Sequence, residues 1–378
     1  MYKFLIVDTY YSDFLTGFYK KNDTEKEPYA RHLQILLDEF FGTADFYSRN
    51  LRAIGYPAQD VIFNDMRLQY KWFKEYGRGR RIDLFRNLDV LHKILNKAAF
   101  VPWDWQAPYT ILKAQIDHYQ PDILYIQDIG AINDRFLAQI KPQVKLIAGQ
   151  IACPLPSNRD LKVYDVIFTS FPHYVDILKK IGVSAQYLKI GFEPHIWESL
   201  GKETLSKKYD CIFIGGFSKP HSQRVKFLEA AAERLALDVW GYGIERLVSS
   251  SSLRKRYHGE AWGRDMYRVL GQSKISINIH IDAAGDYANN MRLYESTGMG
   301  SLLITDHKKN LNDLFAVGSE AAAYKTVDEL CAAVEYYLAH EKERAAIAAA
   351  GQKRTLREHR YSDRMKELAG LLKPYMDK

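Results

Sequence analysis

Cysteine is scarce in this chain, with three in 378 residues: Cys153, Cys211 and Cys331. Their separations match no metal-type spacing, so they read as buried, reduced thiols. Long apolar runs are missing too. No stretch approaches the roughly 18 apolar residues of a membrane-spanning helix. The start, Met1-Tyr-Lys-Phe-Leu-Ile-Val-Asp8, runs directly into a strand pattern and lacks the shape of an export signal, so a cytoplasmic location is expected. The remaining composition, 47% apolar and 26% charged, is that of an ordinary globular protein. At this length two domains are expected rather than one core.

Charge is present but uneven. Lys and Arg outnumber Asp and Glu by 53 to 46, a net of +7. Residues 67–97 hold nine basic residues (Arg67, Lys71, Lys74, Arg78, Arg80, Arg81, Arg86, Lys93, Lys97) against Glu75, Asp83 and Asp89, which gives +6. Tyr70, Trp72, Phe73, Tyr76 and Phe85 interleave with them. A solvated helical face accounts for this pattern. So does a surface for an anionic acceptor or for peripheral contact with an anionic membrane leaflet, where each basic residue contributes about 1 kcal/mol. No nucleic-acid module accompanies the charge, so no nucleic-acid partner is expected.

Strand-like apolar runs recur along the chain, each followed by a helical pattern. The first is Lys3–Val7, ending at Asp8 and the polar loop Thr9-Tyr-Tyr-Ser-Asp13. Residues 29–55 carry a helical period through Leu33, Leu36, Leu37, Phe40 and Phe41, and again through Phe46, Leu51 and Ile54. Asp60–Asn64 reads as the second strand. Trp103 and Trp105 precede a helix over Tyr109–Tyr119 and serve packing or sugar stacking. From Pro121 the alternation is regular, with strands at 122–126, 144–148, 165–169 and 186–190. This predicts an α/β fold with a parallel, doubly wound sheet. Ligands of such sheets sit at the carboxyl ends of the strands. Asp8, Asp13, Asp128, Gln150 and His173 all follow strand ends and so are expected at a cleft. Capping or turn roles are the alternative for the aspartates.

The most informative stretch is 275–306. An apolar run, Ile275–Ile281, leads through Gly285 into Asn289-Asn-Met-Arg-Leu-Tyr-Glu-Ser-Thr-Gly-Met-Gly300, and Ser301–Asp306 follows as a second strand. This is a βαβ unit, with Asn as helix N-cap and Gly298 and Gly300 as stop signals. Arg292 and Glu295 are three apart and share one helix face. Arg292 lies in the first turns, where helix amides favour phosphate, and Glu295 is placed to accept hydrogen bonds from a sugar diol. A surface ion pair is the plain alternative.

Arg292–Asp306, together with Asp313-Leu-Phe315, Tyr324–Leu330, Tyr336–His340, Arg344–Gly351, His359-Arg-Tyr-Ser and Arg364, resembles the donor domain of GT-B glycosyltransferases. The likeness is closest to the group-one and spore maturation protein CgeB-like branch. It covers most of 208–370. The resemblance implies two Rossmann-like doubly wound domains with a deep cleft between them. They would be an acceptor domain over 1–195 and a nucleotide-sugar donor domain over 196–360, with 361–378 crossing back onto the first. It implies transfer of a sugar from a nucleotide-sugar to a hydroxyl of a glycan, lipid-linked glycan or small molecule, without a bound metal or other cofactor. No Asp-x-Asp pair suited to bridging a metal and a diphosphate occurs.

By the same resemblance Gly215 and Gly216 form a phosphate-contacting turn, with Ser218, Lys219 and Arg224 as its polar groups. Tyr242 belongs to a strand–Gly–aromatic–Gly element, and His258, Gly259 and Glu260 lie by the nucleobase. Asn278 and His280 stand in or at the end of the strand before the donor helix, where His280 either faces the sugar or phosphate or is a satisfied core histidine, and His195 is a binding group at the linker or a structural residue beside Pro194. The seven-residue acid pair of retaining members is broken, since Tyr287 stands where the first acid belongs. An inverting reaction needs a base from the N-terminal domain, for which Asp13, Asp8 and Asp128 are the candidates. A nucleotide-sugar epimerase and a non-catalytic two-domain binding protein are the alternative readings.

Overall fold

The computed structural model describes residues 1–77, 106–200, 206–217 and 222–376. Trp103, Trp105, Ser218, Lys219 and most of the basic segment lie outside them.

Two parallel sheets organise the chain. The first has the order β2-β1-β3-β4-β5-β6. Its strands are β1 (Phe4–Asp8), β2 (Ala58–Ile62), β3 (Ile123–Ile126), β4 (Leu146–Ile151), β5 (Val166–Thr169) and β6 (Ala185–Tyr187). The second has the order β11-β10-β9-β7-β8, from β7 (Tyr209–Ile214), β8 (Leu237–Trp240), β9 (Ser273–Asn278), β10 (Leu302–Asp306) and β11 (Ala322–Tyr324). The central strands are buried along their length because both faces carry helices, hence their runs of Ile, Leu and Val. Each sheet reverses its winding once, between β1 and β3 and between β7 and β9. Such a switch point leaves a crevice at the carboxyl ends of the flanking strands. Asp8, Gln127 and Asp128 stand at the first, and Gly215 and Asn278 at the second.

The helical period over 29–55 breaks between the helices Tyr29–Leu37 and Phe46–Ala53. Phe40, Gly42 and Ala44 all have positive φ there, at 57°, 58° and 40°. A helix cannot pass through left-handed residues, so the phenylalanines sit on a compact loop. The second strand pairs as 58–62, two residues ahead of the expected 60–64, in register with β1 from Phe4↔Ala58 to Asp8↔Ile62.

The last helix, Tyr361–Met376, leaves the second sheet and packs on the helix Phe46–Ala53 beside the first. Backbone bonds fix the crossing, from Phe192 N–H to the His359 carbonyl at 2.7 Å and from Tyr361 N–H to the Phe192 carbonyl at 3.0 Å. The buried Arg364 adds bonds to the carbonyls of Ile190 and Glu358 at 3.2 and 3.0 Å. Among the described residues no helix is long and apolar enough to cross a membrane. Cys211 and Cys331 are buried as expected, but Cys153 is exposed. It follows β4 into the cleft, so the reading of all three thiols as buried fails there.

Candidate active site in the interdomain cleft

The two switch points face each other across one cleft of about 580 Å³, within the usual range for a small-molecule site. Strand ends supply both walls.

On the second-sheet wall, Arg292 and Glu295 project from the helix Met291–Gly298 into the cleft. They are an ion pair, Nη1 to Oε2 at 2.9 Å, with side chains only 15% and 8% exposed. The expected alternative of a solvated surface pair therefore does not describe them. Burial pushes the Glu295 carboxyl up, against the pull of Arg292 and the Tyr267 hydroxyl. Arg292 Nη1 is near the carboxylate but not aligned for a hydrogen bond, which leaves a buried donor without an acceptor.

Asparagine does not cap this helix as its sequence suggests. Asn290 sits at the N-cap without a side-chain capping bond. Its amide donates instead to Asn278 Oδ1 at 2.9 Å, and Asn278 in turn donates to Thr305. Asn289 reaches across to the first domain and donates to the Ser170 carbonyl at 3.1 Å. Asn290 Oδ1 is left without a partner, so no side chain caps the first turn, and Met291 and Arg292 of that turn line the cleft, at the helix end that favours anions.

Arg224 extends from the helix Ser222–Ala232 into the same space. It donates to the Gly216 carbonyl and lies 5.6 Å over the Phe213 ring, and its Nε has no partner. Burial lowers its pKa, so an anion near it would be welcome.

The glycine turn has a packing cause that phosphate binding alone does not supply. A side chain on Gly241, at φ 149°, would strike the Gly215 carbonyl. One on Gly216 would enter the Tyr242 ring. Gly215 lines the cleft, whereas Gly216 is covered by Tyr242.

On the first-sheet wall, Asp8 and Asp128 form a linked carboxyl pair. Thr9 donates its N–H to Asp8 at 2.8 Å and its hydroxyl to Asp128 at 3.0 Å. Thr43 donates to Asp8 Oδ2 at 3.4 Å and to Gln127. Burial, with Asp128 adding repulsion, raises the Asp8 carboxyl to about 7. Gln150 lines the cleft between these residues and accepts from Tyr47 and Tyr125 at 2.8 and 2.6 Å.

Several expected site residues stand elsewhere. Asp13 is exposed in the first turn of the helix Ser12–Lys21 and does not line the cleft. One turn of helix carries it away from the strand end that holds Asp8. His258 stacks on Trp240 at 4.5 Å and bonds Asp238 at 2.6 Å, with Arg256 on the same carboxylate. The Gly259 carbonyl is engaged by Gly241 N–H, and Glu260 by the Trp262 indole at 2.8 Å. The cleft wall there begins only at Ala261. His195 packs edge-on to Phe40 and pairs with Glu198 at 3.6 Å, away from the cleft. His173 stacks on Tyr287 and bonds the Ala283 carbonyl at 3.2 Å, so it joins the two domains rather than lining the space. Asn278 lines the cleft with both amide atoms engaged. His280 lies behind it, in an adjoining cavity.

Sequence reasoning named Tyr242 but missed the loop 41–43 and Trp262, which complete the aromatic group at the mouth. Tyr11 and Phe41 from the first domain meet Tyr242 and Trp262 from the second. The Tyr11–Trp262 ring centroids are 5.5 Å apart and those of Phe41–Trp262 are 5.7 Å apart. Gly42, between two helical runs, was the available signal for the loop.

Among the described residues, no group of three or more His, Cys, Asp or Glu is arranged to hold a metal ion.

Comparison with known proteins agrees with this architecture. Residues 223–370 match a protein family described as Glycosyl transferase-like. No curated protein sequence matches the chain. Solved structures similar over the whole length include a sucrose-phosphate synthase from Thermosynechococcus elongatus, at 11% identity and TM-score 0.57, covering 99% of each chain. HepE of Anabaena in complex with UDP-glucose is similar at 10% identity and TM-score 0.57, covering 99% of this chain and 100% of that one. AviGT4, a glycosyltransferase involved in avilamycin A biosynthesis, matches at 11% identity and TM-score 0.57 over 100% and 98%. The fold is GT-B, two Rossmann-like domains about a cleft. Together the domain match and the fold support a glycosyltransferase.

Proposed function

We propose that this chain transfers a sugar from a nucleotide-sugar to an acceptor hydroxyl, with the donor on the second-domain wall and the acceptor on the first. One observation carries the reading. The two switch points place a buried Arg–Glu pair, Arg224 with its Nε unpartnered, and a helix N-terminus without a side-chain cap opposite a carboxyl pair, across a single cleft. Glu295 accepts the ribose diol, displacing part of its bond to Arg292. Arg292, Arg224 and the amides at Met291 receive the diphosphate and stabilise it as it departs. These cationic groups would take over the charge a metal would otherwise neutralise, so the reaction is metal-independent.

Asp8 is the base of the acceptor hydroxyl. Its carboxyl near 7 sits where a base works best at neutral pH, and Thr9 and Asp128 orient it. The acceptor is a glycan, a lipid-linked glycan or a small molecule, and work at the inner membrane face fits the basic segment that begins at Arg67. In this reading the motif residues belong to the CgeB-like branch; HepE, of the same fold, was solved with UDP-glucose.

The test is release of nucleoside diphosphate from UDP-glucose, GDP-mannose, ADP-glucose and dTDP-glucose, with and without a mixed glycan acceptor pool. Acceptor-dependent release supports transfer. Asp8→Asn should lower the rate about a hundredfold or more while donor binding persists. Isomerised donor without acceptor would mean an epimerase, and binding without turnover a non-catalytic protein.

A further inference from the structure

The two walls of the cleft differ in charge. Arg224 and the Arg292–Glu295 pair line it from the second domain, a net of +1. Asp8 and Asp128 line it from the first, −2 when both are ionised. Gln127 and Gln150 stand beside them on the same wall. The Gln150 oxygen accepts from the Tyr47 and Tyr125 hydroxyls at 2.8 and 2.6 Å, and the Gln127 oxygen accepts from Thr43. Among the described residues neither amide nitrogen has a hydrogen-bond partner, and neither is closed off from solvent. Both are donors available to a ligand. The carboxyls have acceptor capacity to match. Each offers roughly four lone-pair sites. Bonds from Thr9 and Thr43 use two on Asp8, and bonds from Thr9 and Gly130 use two on Asp128.

This is more hydrogen-bonding capacity than one acceptor hydroxyl uses. An alcohol or phenol with a single hydroxyl would satisfy Asp8 and lay an apolar body over Asp128 and both amides, leaving polar groups covered and unpaired. A sugar brings a hydroxyl to each of them. Tyr11 adds a second requirement. It lines the same wall, is 54% exposed, and meets Phe41, Tyr242 and Trp262 at interplanar angles of 68°, 74° and 87°. None of these rings lies parallel to it, and its exposed aromatic surface suits the carbon–hydrogen face of a pyranose ring.

We propose that the acceptor group seated on this wall is an uncharged pyranoside, bonded through its hydroxyls to Asp8, Asp128, Gln127 and Gln150, and that a sugar bearing phosphate or carboxylate is rejected there. The inference rests on the transferase reading above and narrows its acceptor to one class. Rejection follows from the charges. An anion on the reacting sugar faces two carboxyls and is drawn instead to the arginines, where the diphosphate must sit. The constraint applies to the sugar residue in the cleft, so a charged group farther along a longer acceptor is compatible with it. The transfer balances as before. The acceptor oxygen bonds to C1 of the donor sugar and its proton goes to Asp8, while the bond from C1 to the phosphate oxygen breaks with its electron pair left on the diphosphate.

The experiment measures acceptor-dependent release of nucleoside diphosphate at about pH 8, where Asp8 is ionised. The donor is whichever of UDP-glucose, GDP-mannose, ADP-glucose and dTDP-glucose binds by calorimetry. Methyl glucoside, galactoside, mannoside and N-acetylglucosaminide are each compared with the 6-phosphate of the same sugar, and the first three with the matching uronic acids. Phenol and 1-octanol serve as single-hydroxyl acceptors. The best uncharged sugar should exceed its charged counterparts in kcat/KM by about a hundredfold or more, and Asp128→Asn should narrow that gap about tenfold. Asp128 also holds Thr9, so a second variant leaves the wall's bonds in place. Ala152→Arg, at an exposed position lining the same cleft, should raise the 6-phosphate relative to the uncharged sugar about tenfold. The ratio is the readout, because general loss of structure lowers both members alike. Equal or better use of a charged sugar, or a ratio that neither variant moves, overturns the proposal. So does release stimulated by none of the sugars, and stimulation by phenol or 1-octanol in that case keeps the transferase reading. Failure of every donor to bind removes both.

Discussion

At the scale of single residues, burial decides most of what matters. Arg292 and Glu295 were legible in the sequence because spacing of three on a helix is a fixed geometric relation. Their burial and mutual pairing were not, since both depend on what the opposite domain covers. Removing the arginine leaves an unpaired buried carboxylate, so Arg292→Ala should lower the melting temperature.

Asp60 carries a second consequence of burial. It sits in the first domain against Ser48, and burial raises its carboxyl to about 7 from an unfolded value of 3.8. The unfolded chain therefore loses this proton first as pH rises. The stability that Asp60 contributes is complete below about pH 4, declines between pH 4 and 7, and is gone above. Asp60→Asn should flatten that decline in thermal melts and should be more stable than wild type at pH 8, by on the order of 2–4 kcal/mol. Asp8 titrates in the same range within the cleft. As a base it must be ionised, so the transfer rate should rise as pH increases through about 7, and Asp8→Asn should remove that limb.

At the scale of elements, alternation and strand ends place Asp8, Asp128 and Gln150 at the cleft, and the family resemblance adds Gly215 and Asn278. They succeed because a parallel sheet offers its ligands at one edge only. Asp13 failed because helix geometry takes over within a few residues of the strand. Asn290 failed as a cap because its amide nitrogen turns to Asn278 and its Oδ1 meets no N–H of the helix. His258 and His195 failed for want of a partner list: Asp238 and Phe40 are distant in sequence and claim them. The loop 38–45 was hidden by a helical period that runs through Phe40 and Phe41, while left-handed Phe40 and Ala44 show the chain was held there by tertiary contacts. Gly241 tests the loop packing directly. Its φ of 149° and the Gly215 carbonyl against it leave no room for a methyl group, so Gly241→Ala should lower the melting temperature by several degrees, an effect of about 1–3 kcal/mol.

At the scale of the whole molecule, two ties hold the domains about the cleft in addition to the contacts of His173 and Asn289. One is the crossing helix with Arg364. The other is at the mouth, where Arg264 N–H donates to the Glu39 carbonyl at 2.8 Å and Arg264 Nη1 to that of Asp38 at 3.1 Å. Gly263, at φ 47°, lets the chain pass against Glu39. Beside it, Tyr11, Phe41, Tyr242 and Trp262 pack ring to ring across the cleft, joining its two walls. Trp262 fluorescence should therefore change on donor binding, and Gly263→Ala should loosen the mouth and raise the donor Kd. The two-domain organisation was readable from length and alternation. The clasp was not, because it joins residues some 220–250 apart in the chain (Tyr11 with Trp262, Phe41 with Trp262) whose meeting no local pattern announces.

The central claim is that the helix Met291–Gly298 binds a nucleotide. Calorimetric titration of UDP, GDP, dTDP, ADP and CMP into wild type, Arg292→Ala and Glu295→Ala measures it most directly. The account predicts that one nucleotide binds in the micromolar range and that both variants lose about 1.4 kcal/mol or more, a factor of ten, with folded variants shown by unchanged circular dichroism. Equal binding by wild type and variants, or no binding of any nucleotide, would contradict it.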